Sequence, residues 1–152
     1  MLSMDDLKWL SVADRFSKLY LDKLLAAYDL NSGQHMFLIK ICKNPGLLQD
    51  SLMDTIYLHP SNIVRTVAAL ENKGLLTRKP CEKDKRTCQL FPTDKAIALI
   101  AYIDAACAQT EAVLLQGLSD DEKTAFKKAL IHVGKNIASA MNVYREDDEF
   151  DA

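Results

Sequence analysis

The sequence predicts a mainly α-helical fold carrying one small β-hairpin. Three observations lead there. Apolar residues recur at spacings of three and four over most of the chain, the period of amphipathic helices. Between Leu75 and Phe91 that period breaks into two short, partly β-branched runs around a polar tip, the pattern of a hairpin. Long apolar-striped segments stand at both ends. A short helix followed at once by a hairpin with a cationic tip is the plan of a winged helix-turn-helix core, here flanked by long terminal helices.

Taken in order, Leu7, Leu10, Phe16, Leu19, Tyr20, Leu24 and Tyr28 define a first helix from Met4 to Tyr28. Asn31, with Gln34 three residues on, predicts a cap for a second helix through Met36, Leu38, Ile39 and Cys42, which Asn44-Pro45-Gly46 stops. Leu52, Met53 and Ile56 mark a short third helix, Gln49 to Tyr57. The fourth opens on Pro60, whose missing N–H costs nothing in a first turn, and ends before Gly74. Strands are expected over Leu75 to Pro80 and Thr87 to Phe91, with Pro92 closing the second. Thr93 caps a fifth helix striped by Ile97, Ile100, Ile103, Cys107, Thr110 and Leu114. Ser119 and Glu122 form a capping box for a sixth, striped by Phe126, Ala129, Leu130, Val133, Ile137 and Met141.

These elements divide the chain into a core at 31–92, terminal helices at 1–30 and 93–144, and an acidic tail at 145–152 whose composition predicts disorder. A first helix of about 25 residues is roughly 37 Å long, more than so small a core can cover. Its surplus apolar surface, and that of the last two helices, predicts burial against a second copy. A symmetric dimer would set two reading helices about one DNA turn apart on a palindromic site.

With 152 residues, 49% hydrophobic and 26% charged, the composition is that of an ordinary single-domain protein. No unbroken apolar run approaches the roughly 18 residues of a membrane span, and the amino terminus lacks the order of a secretory signal, so no membrane partner and a cytoplasmic location are expected. The net charge of −2 is unevenly spread. Pro60 to Leu90 holds seven basic residues against three acidic ones, a net +4 that leaves −6 for the remainder. Local field rather than total charge governs attraction to phosphate. No GxGxxG, P-loop, HExxH or GxSxG motif is present, so nothing assigns a nucleophile, a base or a cofactor cradle, and neither enzyme activity nor a cofactor is expected.

By these residues the chain resembles the MarR family of bacterial transcription regulators. The resemblance rests on Ser61-Asn62-Ile63-Val64-Arg65-Thr66-Val67, on Leu70-Glu71-Asn72-Lys73-Gly74-Leu75-Leu76-Thr77-Arg78, and on Asp84-Lys85-Arg86-Thr87-Cys88-Gln89-Leu90-Phe91-Pro92-Thr93. Asp84 and Arg86 match the family's wing signature of Asp, one residue, then Arg. The resemblance implies a homodimeric repressor that answers to a small-molecule or redox signal. The competing expectation is a winged-helix protein-interaction module that binds no DNA.

Ser61, Asn62, Arg65 and Thr66 lie near the amino end of the reading helix, off the stripe of Ile63, Val67 and Leu70. Arg65 can pair with guanine and Asn62 with adenine, while Ser61 and Asn62 can equally cap the helix or touch phosphate. In the wing, Arg86 suits a minor groove, Lys83 and Lys85 add phosphate attraction, and Asp84 is expected to brace Arg86 by a charge-assisted hydrogen bond. If the hairpin is symmetric about its tip, Cys81 and Cys88 face each other within reach of a disulfide; otherwise they fill strand positions. Cys42 and Cys107 sit on apolar helix faces. His35, His59 and His132 are scattered, without metal-ligand spacing, so no metal is expected, and His59 is placed to cap the reading helix. Relatives hold small aromatic effectors between the dimer helices and the reading core. The resemblance therefore implies that Tyr20, Tyr28, His35, Met36 and Phe37 line such a space, unless they are plain core.

Overall fold

The computed structural model describes residues 1, 3–52 and 59–143. Helix α1 (Met4–Leu25) starts in a capping box between Ser3 and Asp6, which the sequence reading did not anticipate. Its predicted last turn tightens into a 3-10 turn, Ala26–Tyr28, ended by Asp29 in the left-handed conformation at φ 55°. Helix α2 (His35–Lys43) lacks the predicted Asn31–Gln34 box. Asn31 Oδ1 instead accepts from the Gly33 amide, and the Gln34 side chain accepts from Lys73, so neither reaches the helix end.

Gly46, at φ +88°, then turns the chain into a strand the sequence did not predict, β1 (Leu47–Leu48). A 3-10 turn, Gln49–Ser51, follows. The predicted third helix falls largely on 53–58, outside the described residues, as does the acidic tail at 145–152. Helix α3 (Pro60–Asn72) is the helix expected to read DNA, and strands β2 (Leu76–Pro80) and β3 (Cys88–Pro92) form the wing. Helices α4 (Asp94–Leu114) and α5 (Asp120–Ala140) open on the two caps predicted for them, Thr93 and the Ser119–Glu122 box.

The sheet is antiparallel in the order β1-β3-β2. Leu47 lies opposite Leu90 on one side of β3, and Arg78 lies opposite Leu90 on the other. This ties the wing to the loop before the reading motif, and Leu90 is fully buried between them. The architecture is a mostly helical winged helix with a small three-stranded sheet.

One core joins the elements. Leu25 of α1, Phe37, Leu38 and Ile41 of α2, Val67 and Leu70 of α3, and Ile103 of α4 are all fully buried. The spacing of Ile63, Val67 and Leu70 thus fixes which face of α3 turns inward and which turns out.

The terminal helices are different. Helix α5 buries no residue, and Phe126, Leu130, Ile131 and Ile137 stand at least 46% exposed. Trp9 and Phe16 on α1 and Tyr102 and Val113 on α4 are also half or more exposed. An ion pair between Lys127 and Glu111 holds α5 to α4. The expectation about membrane length needs one correction: α4 has 21 residues and a window of mean hydropathy 1.5, long and apolar enough to cross by length and composition alone. Its hydropathy comes from three isoleucines, two leucines and a valine together with seven alanines, and the helix packs against α1 and α2.

Candidate nucleic-acid interface

The amino end of α3 is built by local hydrogen bonds. His59 Nδ1 accepts from the Ser61 amide at 3.2 Å and lies 2.8 Å from the Ser61 hydroxyl, with Pro60 in the first turn. The predicted capping role of His59 is present, and it engages the Ser61 hydroxyl as well. One turn on, the Arg65 guanidinium donates to Asn62 Oδ1. Residues three apart on a helix are neighbours, so this bond pre-orders both side chains on one face. Ser61 and Arg65 are exposed, and Asn62 and Thr66 are half-buried beside them.

Val64 shares the outward face at 53% exposure, a position the sequence reading passed over. Its signal was present, because an apolar residue off the buried stripe must face solvent or a partner. Such a side chain suits contact with a thymine methyl.

The wing starts from the paired strands and narrows to a tip at 82–86. The Asp84 carboxylate accepts from the Arg86 backbone amide at 3.0 Å, and the Asp84 carbonyl accepts from the Thr87 amide at 3.2 Å. The expected brace is therefore of a different kind. Asp84 secures the backbone turn rather than the guanidinium, because a short side chain reaches an amide two residues on more readily than a long side chain's end. Among the described residues, the Arg86 guanidinium has no ion pair or hydrogen bond, and Lys83, Lys85 and Arg86 are all exposed. The tip thus presents three free cations.

The base of the wing is fastened to α3. Arg78 of β2 donates through Nε (3.1 Å) and Nη2 (2.8 Å) to the two carboxylate oxygens of Glu71. These hydrogen bonds hold the Glu71 carboxyl below the usual range. A two-point contact of this kind fixes orientation as well as distance. It joins the last turn of the reading helix to the wing, a link the sequence reading did not identify.

The thiol pairing imagined for a symmetric hairpin does not form. Pro80 lies opposite Cys88, and the Cys81 amide donates to the Thr87 carbonyl, so Cys81 and Cys88 occupy neighbouring rungs. Successive rungs point to opposite faces of a pleated ribbon, which sets the two sulfurs apart. The register is one residue off symmetry because the Asp84 turn closes a five-residue tip. All four cysteines are free, and burial pushes the Cys42 and Cys107 thiols up.

The residues predicted to line an effector space are dispersed. Tyr20 lines an open apolar cleft of about 280 Å³ between α1 and α4, with Val12, Phe16, Val113 and Leu114. Tyr28 stacks on Tyr102 at 4.8 Å, and Phe37 is fully buried in the core. Met36 is 41% exposed. His35 donates from Nδ1 to the Ser32 carbonyl at 2.8 Å, and burial lowers its pKa from 6.5 against the opposing pull of that bond and of Asp22. Among the described residues, no group of three or more His, Cys, Asp or Glu is placed to hold a metal.

A polar, Arg-bearing helix face and a cationic hairpin tip thus project from one packed core, joined by the Glu71–Arg78 pair. The model of the MarR family matches residues 30–88, from the end of the α1 junction to the start of β3. An uncharacterized HTH-type transcriptional regulator of Bacillus subtilis (strain 168), YybA, is 31% identical over 109 residues, covering 72% of this chain and 73% of that protein. Among solved structures, a MarR family transcriptional regulator from Listeria monocytogenes, complexed with 26mer DNA, superposes with a TM-score of 0.83. It is 28% identical, with 92% of each chain covered. A MarR protein from Peptoclostridium difficile has the same fold, with a TM-score of 0.86 at 24% identity and 92% of each chain covered.

Proposed function

The chain belongs to the MarR family of transcriptional regulators, and from that premise we propose that it is a homodimeric repressor that reads a palindromic operator in double-stranded DNA. It is a regulator and not an enzyme. The observation that carries the DNA reading is the pairing of an ordered Asn62–Arg65 face with a wing tip whose Lys83, Lys85 and Arg86 are unengaged. Arg65 and Asn62 supply base contacts in a major groove, each worth ~1–3 kcal/mol of discrimination. Arg86 enters the adjoining minor groove, where the negative potential favours a guanidinium. Ser61, Thr66, Lys83 and Lys85 hold phosphates and set the register, and Asp84 keeps the tip in shape.

The second copy covers the apolar faces of α1, α4 and α5. Those faces carry Trp9, Phe16, Tyr102, Val113, Leu130 and Ile137 on the outside of a single chain, more apolar surface than an isolated protein usually leaves in one region. Control follows from spacing. A small apolar or aromatic effector seated by Tyr20 in the cleft between α1 and α4 would favour one separation of the two reading helices, and it acts only through a difference in affinity for the two separations. Occupancy of the operator blocks transcription until then.

Fluorescence anisotropy with DNA from upstream of the protein's own gene tests the reading. Tight binding that resists competitor DNA and weakens steeply with salt is the expected result. Changing Arg65 and Arg86 together to Ala should abolish that binding and leave the dimer intact. Full DNA affinity in the double variant would overturn the site assignment.

A further inference from the structure

Beyond the core packing and the Glu71–Arg78 pair, one residue ties the carboxyl end of the reading helix to the helices on either side. Lys73, the first residue past α3, sends its ammonium to the Asp29 carbonyl at 2.5 Å and to Gln34 Oε1 at 3.2 Å. The Asp29 carboxylate lies 3.5 Å away. Asp29 is the left-handed residue that ends α1, and Gln34 is the buried residue that precedes α2. In the other direction, the Lys73 carbonyl accepts from Lys95 Nζ at 2.8 Å, in the first turn of α4. The carboxyl end of α3 is thereby tied to the α1–α2 junction and to α4, and α1 and α4 are helices of the proposed dimer face.

Ser61, Asn62 and Arg65 lie at the opposite end of α3. A 13-residue helix is about 20 Å long, so a tilt of about 10° at its carboxyl end moves the amino end by roughly 3 Å. That is the length of a hydrogen bond, enough to lose a base contact while phosphate attraction persists. We propose that Lys73 is a positioning residue: its three acceptors lock the angle of the reading helix on the dimer frame and so set sequence discrimination without touching DNA. This rests on the DNA reading above.

The test compares the full-length wild-type protein with K73M, K73R and K95M. The probes are a duplex that the wild-type protein enriches from a random-sequence pool and a scrambled duplex of equal length. If K73M leaves the competent helix angle populated about one-tenth of the time, affinity for the enriched duplex falls about tenfold. Affinity for the scrambled duplex and the salt slope stay unchanged, helicity by circular dichroism is retained, and K73R restores most of the loss. K95M removes only the tie to α4 and lowers the ratio of the two affinities by less, in the same direction.

An unchanged ratio in K73M overturns the proposal. So does an equal loss on both duplexes with a shallower salt slope, which would make Lys73 a phosphate contact. Should K73M fail to fold, an unchanged ratio in K95M overturns it. The wild-type ratio by itself tests the DNA reading, whereas its change on substitution tests the positioning role.

Discussion

Replacing Arg86 with Ala isolates that side chain's contribution to DNA binding. The substitution is clean because the Asp84 carboxylate holds the backbone amide of residue 86, which Ala retains, while the guanidinium makes no hydrogen bond or ion pair among the described residues. Neither the tip nor the ladder behind it loses a bond. Each phosphate neutralised adds about 0.9 to the slope of log affinity against log salt on duplex DNA. A guanidinium in the minor groove sits in the field of both phosphate strands, so if each Arg86 of a dimer neutralises one phosphate, the two copies carry a slope of about 1.8. Over a fourfold rise from about 50 to about 200 mM salt, that share corresponds to a roughly twelvefold loss of affinity which the variant no longer suffers. Anisotropy titrations of wild-type and R86A protein at several salt concentrations read the difference directly. Equal slopes would refute the reasoning for Arg86 and leave the wing's attraction for DNA to Lys83 and Lys85. R65A should behave in the opposite way, losing discrimination between duplexes while keeping most of its salt slope, because a base contact releases few counterions.

Three further outcomes follow from the fold. Phe37→Ala empties a fully buried site at the centre of the core and should cost about 3–5 kcal/mol in urea denaturation, enough to threaten folding at 37 °C. Gly74→Ala meets no atom within 4 Å of the new Cβ, so only the φ of +71° resists it; a loss of roughly 1–2 kcal/mol is expected, seen as a lower melting temperature. Burial lowers the folded pKa of His35 below the ordinary 6.5 that the unfolded chain keeps. As pH falls through 6.5 the unfolded chain takes up the proton first, and stability drops until the folded imidazole also titrates. Melting temperatures measured down from pH 7.5 should show this fall in the wild type and a shallower one in H35N; parallel curves would remove His35 as the cause.

The sequence by itself determined the helical period, the order of elements and the charge of the wing, since these depend on residues near one another along the chain. The caps at Thr93 and Ser119, the His59 cap and the inward stripe Ile63, Val67 and Leu70 were all legible for that reason. The face that α3 presents was legible too, because a helix with one buried stripe has only one other side.

Tertiary structure decided what depends on residues distant in sequence or on register. Leu47 and Leu48 became a third strand because β3 offered an open edge, a fact no local pattern encodes. The thiols of Cys81 and Cys88 were separated by a one-residue register set at the Asp84 turn, and in a pleated ribbon one residue reverses the face. Asn31 and Gln34 did not form their box because the Lys73 ammonium, 39 residues away from Gln34, claimed the amide oxygen. The same long reach produced the Lys73 joint, while the Glu71–Arg78 brace, seven residues apart, depends on β2 folding back along α3. A charged side chain takes whichever acceptor the fold brings within 3 Å, and spacing along the chain does not reveal which one that is.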